Sequence, residues 1–573
     1  MLTKVWNIAP AASPEALAAY HGLPPAVAQV LINRGQTDPD AALRWLSADD
    51  WRSGGFASYA RKAPIEAAAE RLRRAIADHE QIIVYGDFDA DGVSSTALLV
   101  QALRALGGEV KAYIPGRVDE GYGVNNDSLH MLKEYGARVI VTVDCGIRSV
   151  DEVALGESLG LTMIVTDHHS VGEVHPAAFA LINPKLNDCD YSEPMLAGVG
   201  VAFRLAELLL NGTNASITPE DLLDLVAIGT VADLAPLSSA ENRALVRAGL
   251  KVLQSAQRPG VRALLQVSGI ATEDMNASGI GFGLGPRINA AGRLAHAKQA
   301  YQLLITEDDG EAANLAAGLQ TLNIERQRLT REAQDLIRAQ LAGDGLLDAP
   351  LIFAGHPDFR EGIVGLVAGR LTEEFYRPSA VLHEGETESR ASCRSIPGFH
   401  ITHALDQCSD LLVRHGGHAQ AAGFTVRNEH LRELRERLTA IAAGELAGRD
   451  LRPSLRIDKV LEPREMTLTL AGELKLLEPT GQDNPTPLFA ALNLRVVDAQ
   501  TVGKDGQHLR FMLRDDGSGQ VFNAIGFRMG GNGAYRPSLG ERVDAAFQLE
   551  ANTWRGDTRL QLRLEDLRPA STE

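Results

Sequence analysis

Between residues 80 and 230 the chain alternates short, unbroken apolar runs with longer stretches of helical spacing. Residues 82–85, 109–114, 138–143 and 161–166 have the length and β-branched content of buried strands, and 93–106, 126–135 and 150–159 have the 3.6-residue period of helices. Such alternation predicts right-handed crossovers and a mostly parallel sheet. Ahead of it, residues 1–45 read as short helices broken by Pro10, Pro14, Pro24, Pro25 and Pro39, with no evident chemistry. A proline-free helical pattern runs from about 311 to 342, with a basic second half that reads as an exposed connecting helix. A second α/β pattern then opens with residues 350–353. Beyond Pro453 the texture changes to short strands at 509–514, 521–527 and 560–564, separated by Asp/Gly turns.

The ends of the predicted strands carry the chemistry. Asp87, Asp89 and Asp91 stand at alternate positions after the first strand, where an extended backbone would crowd three like charges unless cations neutralise them. Asp144 follows the third strand, Asp167-His168-His169 the fourth, and Asp233 is expected where the chain turns out of a helix over 222–228. One acidic turn is most often just solvated, but four clusters at the carboxyl rim of an open sheet coincide with the place where such sheets bind ligands. Carboxylates mixed with imidazole suit Mn²⁺ better than Mg²⁺. A carboxylate shared between two ions makes a site in which one ion lowers the pKa of a water and both stabilise an in-line phosphoester transition state. Asp144 is the expected bridge, and Asp167 is expected to hold His168 in its ligating tautomer.

Bulk properties limit the partners. A length of 573 residues implies three or four domains. No long uncharged apolar run is present and residues 1–6 lack the apolar core of a signal peptide, so a cytosolic protein without membrane contact is expected. Cys145, Cys189, Cys393 and Cys408 are too scattered for a zinc ribbon or a disulfide framework. A net charge of -18 opposes a broad nucleic-acid surface but allows a narrow cationic channel inside an acidic exterior. Candidates for that channel are Arg117 beside the metals, Tyr122 as a stacking ring, and a loop-like phosphate cradle at Arg287, Asn289 and Arg293.

The segments Gly86-Asp87-Phe88-Asp89-Ala90-Asp91-Gly92, Val143-Asp144-Cys145-Gly146, Asp167-His168-His169 and Thr230-Val231-Ala232-Asp233 resemble, in order, the four motifs of the DHH phosphoesterase superfamily. The resemblance implies Asp89, Asp91, Asp144, His168 and Asp233 as metal ligands and His169 near the substrate phosphate, with Asp87 assigned beside it to the catalytic group. Tyr85 stands about where pyrophosphatases of the superfamily carry a histidine, so one ligand of their second metal is replaced or absent here. Residues 284–294 resemble a motif of the single-strand-specific exonucleases of the superfamily. Arg360, Ser392, Arg394 and Gly416-Gly417-His418 resemble the DHH-associated domain, which implies that Gly417 and His418 contact the scissile phosphate while Arg360, Ser392 and Arg394 bind substrate. Residues 477–485 resemble the linker into an oligonucleotide-binding barrel, with Asp483 where glycine is common, and Phe511, Phe522, Phe527 and Trp554 are its candidate stacking faces.

The expected architecture is therefore an α/β protein. A helical segment (1–45) precedes a parallel-sheet DHH catalytic domain (46–310), a connecting helix (311–343), a DHH-associated substrate-binding α/β domain (344–448) and an all-β OB-like barrel (449–573). The resemblance implies a 5′→3′ single-stranded-DNA exonuclease using two Mn²⁺ or Mg²⁺ ions and releasing mononucleotides in recombination and repair. It would act as a monomer, with a single-strand-binding protein and a helicase as partners. The alternatives are a phosphodiesterase of short oligonucleotides or cyclic dinucleotides, and an inactive single-strand binder.

Overall fold

The computed structural model describes residues 3–47, 51–52, 63–117, 120–121, 123–187, 189, 191, 193–503, 506–531, 535–554 and 556–570, without the side chain of Trp554. After β1 (Val5–Ile8), strands β2 (Gln81–Gly86), β3 (Val110–Tyr113), β4 (Ala137–Val143), β5 (Thr162–Thr166) and β6 (Ala180–Ile182) form one sheet. Its order is β3-β2-β4-β5-β6, parallel throughout. Helices cover both faces, which is why these strands read as continuous apolar runs instead of alternating. Ile82, Val84, Val139 and Val141 pack with helices Ala90–Ala105, Gly198–Leu210 and Leu223–Ala232. Ile83, Tyr85, Ile140 and Val165 pack on the opposite side with helices Asn126–Glu134 and Val150–Ser158.

From β2 the chain goes first to β3 on one side and then to β4 on the other. That reversal opens a crevice at the carboxyl ends of β2 and β4, where Asp87 and Asp144 follow. Helix Leu223–Ala232 runs on past Gly229 and ends with Asp233 as its C-cap, so the expected turn out of the helix at Gly229 does not occur.

The long helix Asp309–Gly343 leads to a second sheet of β7 (Ile352–His356), β8 (Ser379–Glu384), β9 (Glu388–Arg394), β10 (Leu412–Gly417) and β11 (Ala421–Arg427), in the order β10-β11-β9-β8-β7. Helix Glu361–Phe375 buries Ile363, Val364 and Val367 in a cluster that includes Ile337 of the long helix and Val381 of β8. Arg326 on the long helix, Arg370 on helix Glu361–Phe375 and Arg394 at the end of β9 are thereby carried by one packed block.

Next come β12 (Ser454–Ile457), β13 (Lys459–Val460), β14 (Phe489–Val502), β15 (His508–Arg514), β16 (Val521–Gly526), β17 (Arg542–Trp554) and β18 (Asp557–Pro569). Because β14 pairs with both β15 and β17, the last five close into a barrel and leave no long free edge. Phe511 and Phe522, at 2% and 6% exposure, fill this barrel and are not stacking faces. Phe527 is 51% exposed, lies edge-on to His508, and has the Arg563 guanidinium 5.6 Å from its ring centroid. The Trp554 side chain lies outside the described residues. Asp483 has φ 56°, a left-handed conformation that suits the glycine expected there.

The N-terminal segment is more than short helices. β1 pairs in parallel with β12, and Tyr20, Val27, Leu31 and Trp45 share a core with Phe489 and Phe547 of the barrel. Pro14, Pro25 and Pro39 each open a helix, since a missing amide costs nothing in the first turn. The four cysteines are unpaired thiols, and no described helix is long and apolar enough to cross a membrane.

Candidate metal centre and phosphate cleft

Asp87 follows the end of β2, whereas Asp89 is the N-cap of helix Ala90–Ala105, accepting from the amides of Asp91 (2.9 Å) and Gly92 (3.1 Å). Asp91 sits in that helix's first turn. The three carboxylates thus converge through a strand end and a helix start, not by alternation along an extended segment as expected. Asp91 is also gripped from outside, by the amides of Gly198 (2.7 Å) and Val199 (2.8 Å) at the start of helix Gly198–Leu210. Helix N-termini favour negative charge, so the fold supplies some compensation without a cation. Asp144 has φ 61°, a costly left-handed backbone for a residue with a side chain. The helices close in on these acids through glycines: a Cβ on Gly198 would lie 2.6 Å from Asp144 Oδ1, and one on Gly229 2.6 Å from Asp91 Oδ1.

Three overlapping sets have ligand atoms within 4.8 Å of one another: Asp87, Asp89 and Asp144; Asp91, His168 and Asp233; and Asp144, His168 and His169. The structure leaves Asp87 Oδ1, Asp144 Oδ1 and His168 Nε2 buried with no hydrogen-bond partner. His168 Nε2 lies 3.1 Å from Asp144 Oδ1 and 3.8 Å from both Asp91 Oδ2 and Asp233 Oδ2. Buried polar atoms without partners are rare because desolvation is expensive. Anionic oxygens and an imidazole nitrogen aimed at one space fit a divalent cation of the Mn²⁺ or Mg²⁺ type. Tyr85 stays outside these sets and donates to the Gly123 carbonyl at 3.2 Å.

Electrostatics without the cation are correspondingly adverse. Burial, reinforced by the charge of Asp89, pushes the Asp87 carboxyl up to about 8 and that of Asp233 up to about 7. Burial and then neighbouring carboxylates hold Asp91 and Asp144 well above the usual carboxylate range. Burial, with the His169 charge beside it, drives His168 down to about 3, so its ring is neutral and able to ligate.

Asp167 does not orient His168 as expected. Its Oδ1 accepts from the backbone amides of His168 (2.7 Å) and His169 (3.0 Å) and pairs with His169 Nδ1 (2.8 Å), while Oδ2 accepts from the Ile147 amide (2.9 Å). The His168 Nε2 atom stays buried and unpartnered. Burial opposes charge on His169, but the Asp167 hydrogen bond and charge together with the carboxylates of Asp233 and Asp87 outweigh it and raise the imidazole's pKa. Two further polar neighbours escaped the sequence reading: Asn183, which donates to the His169 carbonyl at 3.0 Å, and Lys185, whose charge faces Asp233 and Asp167.

Beside these acids is a cationic group. Arg117 lies over the Phe88 ring (4.7 Å) and near Asp87 and Asp89. Burial lowers the pKa of Arg293 to about 10, and repulsion from Arg117, Arg326 and Arg394 adds to this. Arg326 in turn feels Arg370, and its Nε is buried without a partner. Arg394 bonds Ser392 Oγ (3.2 Å), and a Cβ on Gly365 would come within 2.9 Å of that hydroxyl. Mutually repelling arginines at one place are a site for a polyanion. Arg326 and Arg370 were unreadable in sequence, since a basic helix more often faces solvent. Gly417 and His418 line a cavity of about 510 Å³ with Asp167, His169 and Arg148, so the second sheet faces the DHH motifs. Gly417 has φ 151°, and a Cβ there would meet the Ala421 carbonyl oxygen at 2.4 Å.

Of the other expected substrate residues, Arg287 and Asn289 are bonded to protein groups. The 285–294 segment is a helix, not a loop cradle. Arg287 spends its donors on Gln320 (2.8 Å) and the Gly283 carbonyl (2.7 Å), and Asn289 Oδ1 caps the Ala90 amide (2.8 Å). Arg360 is exposed at the N-cap of helix Glu361–Phe375, near Glu325. Tyr122 lies outside the described residues.

Family models agree with this layout: the DHH family N-terminal domain matches residues 81–230, the DHHA1 domain 348–444 and the RecJ OB domain 457–566. Fold and site together define a phosphoesterase of the DHH class with an appended OB barrel. The single-stranded-DNA-specific exonuclease RecJ of Bacillus subtilis (strain 168) is 37% identical over 95% of this chain and 68% of its own length. The RecJ of Escherichia coli (strain K12) is 36% identical over 96% of each chain. Crystal structures of RecJ from Thermus thermophilus match with TM-scores of 0.83 in complex with Mn²⁺ (31% identity, 99% of this chain and 80% of that one) and 0.77 in complex with Mg²⁺ (30%, 99% and 79%). The chain belongs to the RecJ family.

Proposed function

We propose that this chain is a metal-dependent exonuclease that shortens single-stranded DNA from its 5′ end, releasing mononucleotides. The observation that carries the reading is the buried pair Asp144 Oδ1 and His168 Nε2, 3.1 Å apart and unpartnered where three ligand sets overlap, beside a group of crowded arginines. Asp87, Asp89 and Asp144 would hold one ion and Asp91, His168 and Asp233 another, with Asp144 between them. In this reading Asp87 is a ligand and not an acid or base. Bound divalent cations supply Lewis acidity to the scissile phosphate and lower the pKa of a water.

The protein's own groups do the rest. Arg117, Arg293, Arg326, Arg370 and Arg394, with Ser392, take the 5′-terminal phosphate and so set polarity, because a 3′ hydroxyl offers them no dianion. Asp167 fixes the His169 ring and strengthens its hold on a proton, which lets the imidazole donate to a phosphate oxygen; His418 approaches from the opposite wall. Phe527, His508 and Arg563 offer an exposed platform on the barrel for bases farther along the strand. Repair and recombination, a cytoplasmic site of action, a monomeric state, and partnership with a single-strand-binding protein and a helicase complete the proposal, since single strands must be generated and kept open.

Strands labelled at one end test it. With Mn²⁺, a 5′ label should appear at once as a mononucleotide, and a 3′ label only after the whole strand is consumed. Early release of the 3′ label, or preference for dinucleotides over long strands, overturns the reading.

A further inference from the structure

We propose that Phe282 is the surface on which an unpaired base stacks as the DNA strand passes the metal centre, making it a specificity element for single strands; this rests on the nuclease reading above. Phe282 is 86% exposed, more than any other exposed large hydrophobic side chain among the described residues, and it makes no ring contact with them. It belongs to a π-helix, Gly279–Leu284, a geometry that recurs at functional sites. Ile280 and Leu284 of the same turn are fully buried, so the wide turn anchors itself on both sides of Phe282 and sends that ring outward. The backbone is packed and not a loose loop. A Cβ on Gly283 would come 2.4 Å from Ile270 Cδ1, and Arg287 ties the Gly283 carbonyl to the long helix through Gln320.

The turn lies beside the metal centre. Ideal Cβ positions on Gly281 and Gly285 fall 3.9 Å from Val231 and 3.3 Å from Ala232, the two residues before Asp233. Directly after Asp233, Leu234 adopts φ 61° and is 66% exposed. Two apolar side chains are thus held out into water next to a carboxylate of the proposed centre, and Arg287, which bonds the Gly283 carbonyl of the same turn, is close enough to repel Arg326 of the arginine group. The occupant that suits both is a nucleic-acid strand, whose phosphates meet the arginines while a base covers the ring. Every base has a π face, so such stacking tolerates any sequence. A base inside a duplex already has both faces covered, and the same ring therefore selects unpaired strands.

Phe282→Ala and Phe282→Trp, compared with the wild-type chain, give the test. Binding is measured without added metal on fluorescent single strands carrying one abasic residue at successive positions from the 5′ end. In the wild type one abasic position should weaken binding by roughly fivefold to a hundredfold, the range of one base–aromatic stack. In Phe282→Ala that position's penalty should vanish while the others remain, the KM for intact strands should rise by a similar factor, and Phe282→Trp should restore both. Calorimetric Mn²⁺ binding should be unchanged, because the ring holds no metal. A wild type that degrades single strands, with Phe282→Ala showing the same abasic penalties, overturns this proposal and spares the nuclease reading. So does sedimentation showing a wild-type dimer that Phe282→Ala dissociates, since a second copy then covers the ring. A wild type that neither binds nor degrades single strands removes both readings.

Discussion

Metal affinity should depend steeply on pH, because the acids that would hold the ions are also the ones burial has made hard to ionise. A ligand must shed its proton before it binds a cation. With Asp87 pushed up to about 8, going from pH 6 to pH 8 raises its ionised fraction about 50-fold; Asp233, up to about 7, gains about 10-fold, or roughly 500-fold together. At pH 7 the same values give about 1.4 protons released as these two acids ligate. Asp91 and Asp144, shifted in the same direction, can only steepen the slope, while His168 is already neutral throughout this range. Calorimetric Mn²⁺ titration at pH 6, 7 and 8, in two buffers of different ionisation enthalpy, reads affinity and proton count together. The sign extends to stability. Raised carboxylate pKa values mean that the metal-free folded chain holds more protons than the unfolded one between about pH 4 and 8, so its stability falls as pH rises through that window. Mn²⁺ relieves the repulsion, and the gain in Tm on adding it should be larger at pH 8 than at pH 6. An affinity that changes less than about threefold over the range, with no buffer-dependent heat, would refute the burial argument.

Three substitutions probe separate parts of the site. Asp144→Ala should abolish turnover yet leave binding of single strands intact in a mobility-shift assay, because the arginines are untouched; residual nuclease activity would exclude Asp144 as the shared ligand. Asp167→Asn should lower kcat by about 10–100-fold with near-normal Mn²⁺ binding, as expected for a residue that orients an imidazole without ligating. Equal losses in kcat and metal affinity would place Asp167 with the metals instead. Arg370→Gln should reduce the slope of log affinity against log salt by about 0.7, the contribution of one phosphate contact on a single strand; an unchanged slope would remove Arg370 from the phosphate group.

Much of the catalytic half was legible because its information is local. Parallel strands buried on both faces must be short apolar runs, and in such a sheet loops at the carboxyl ends face the ligand, so Asp87, Asp144 and His168 could be placed from the strand pattern alone. Motif resemblance then named the acids. What sequence could not supply was the partner of each side chain. Asp167 precedes His168, but the turn that follows β5 directs its carboxylate to His169 Nδ1 and to the Ile147 amide. Arg287 and Asn289 sit in a phosphate-like string, yet a helix points them at Gly283, Gln320 and the Ala90 amide. Arg326 and Arg370 look like solvated bases until three helices bring them to Arg293. The pairing of β1 with β12 spans about 450 residues of chain, and nothing in either segment announces the other. Periodicity records which face of an element is buried; only the packed chain determines which two buried faces meet.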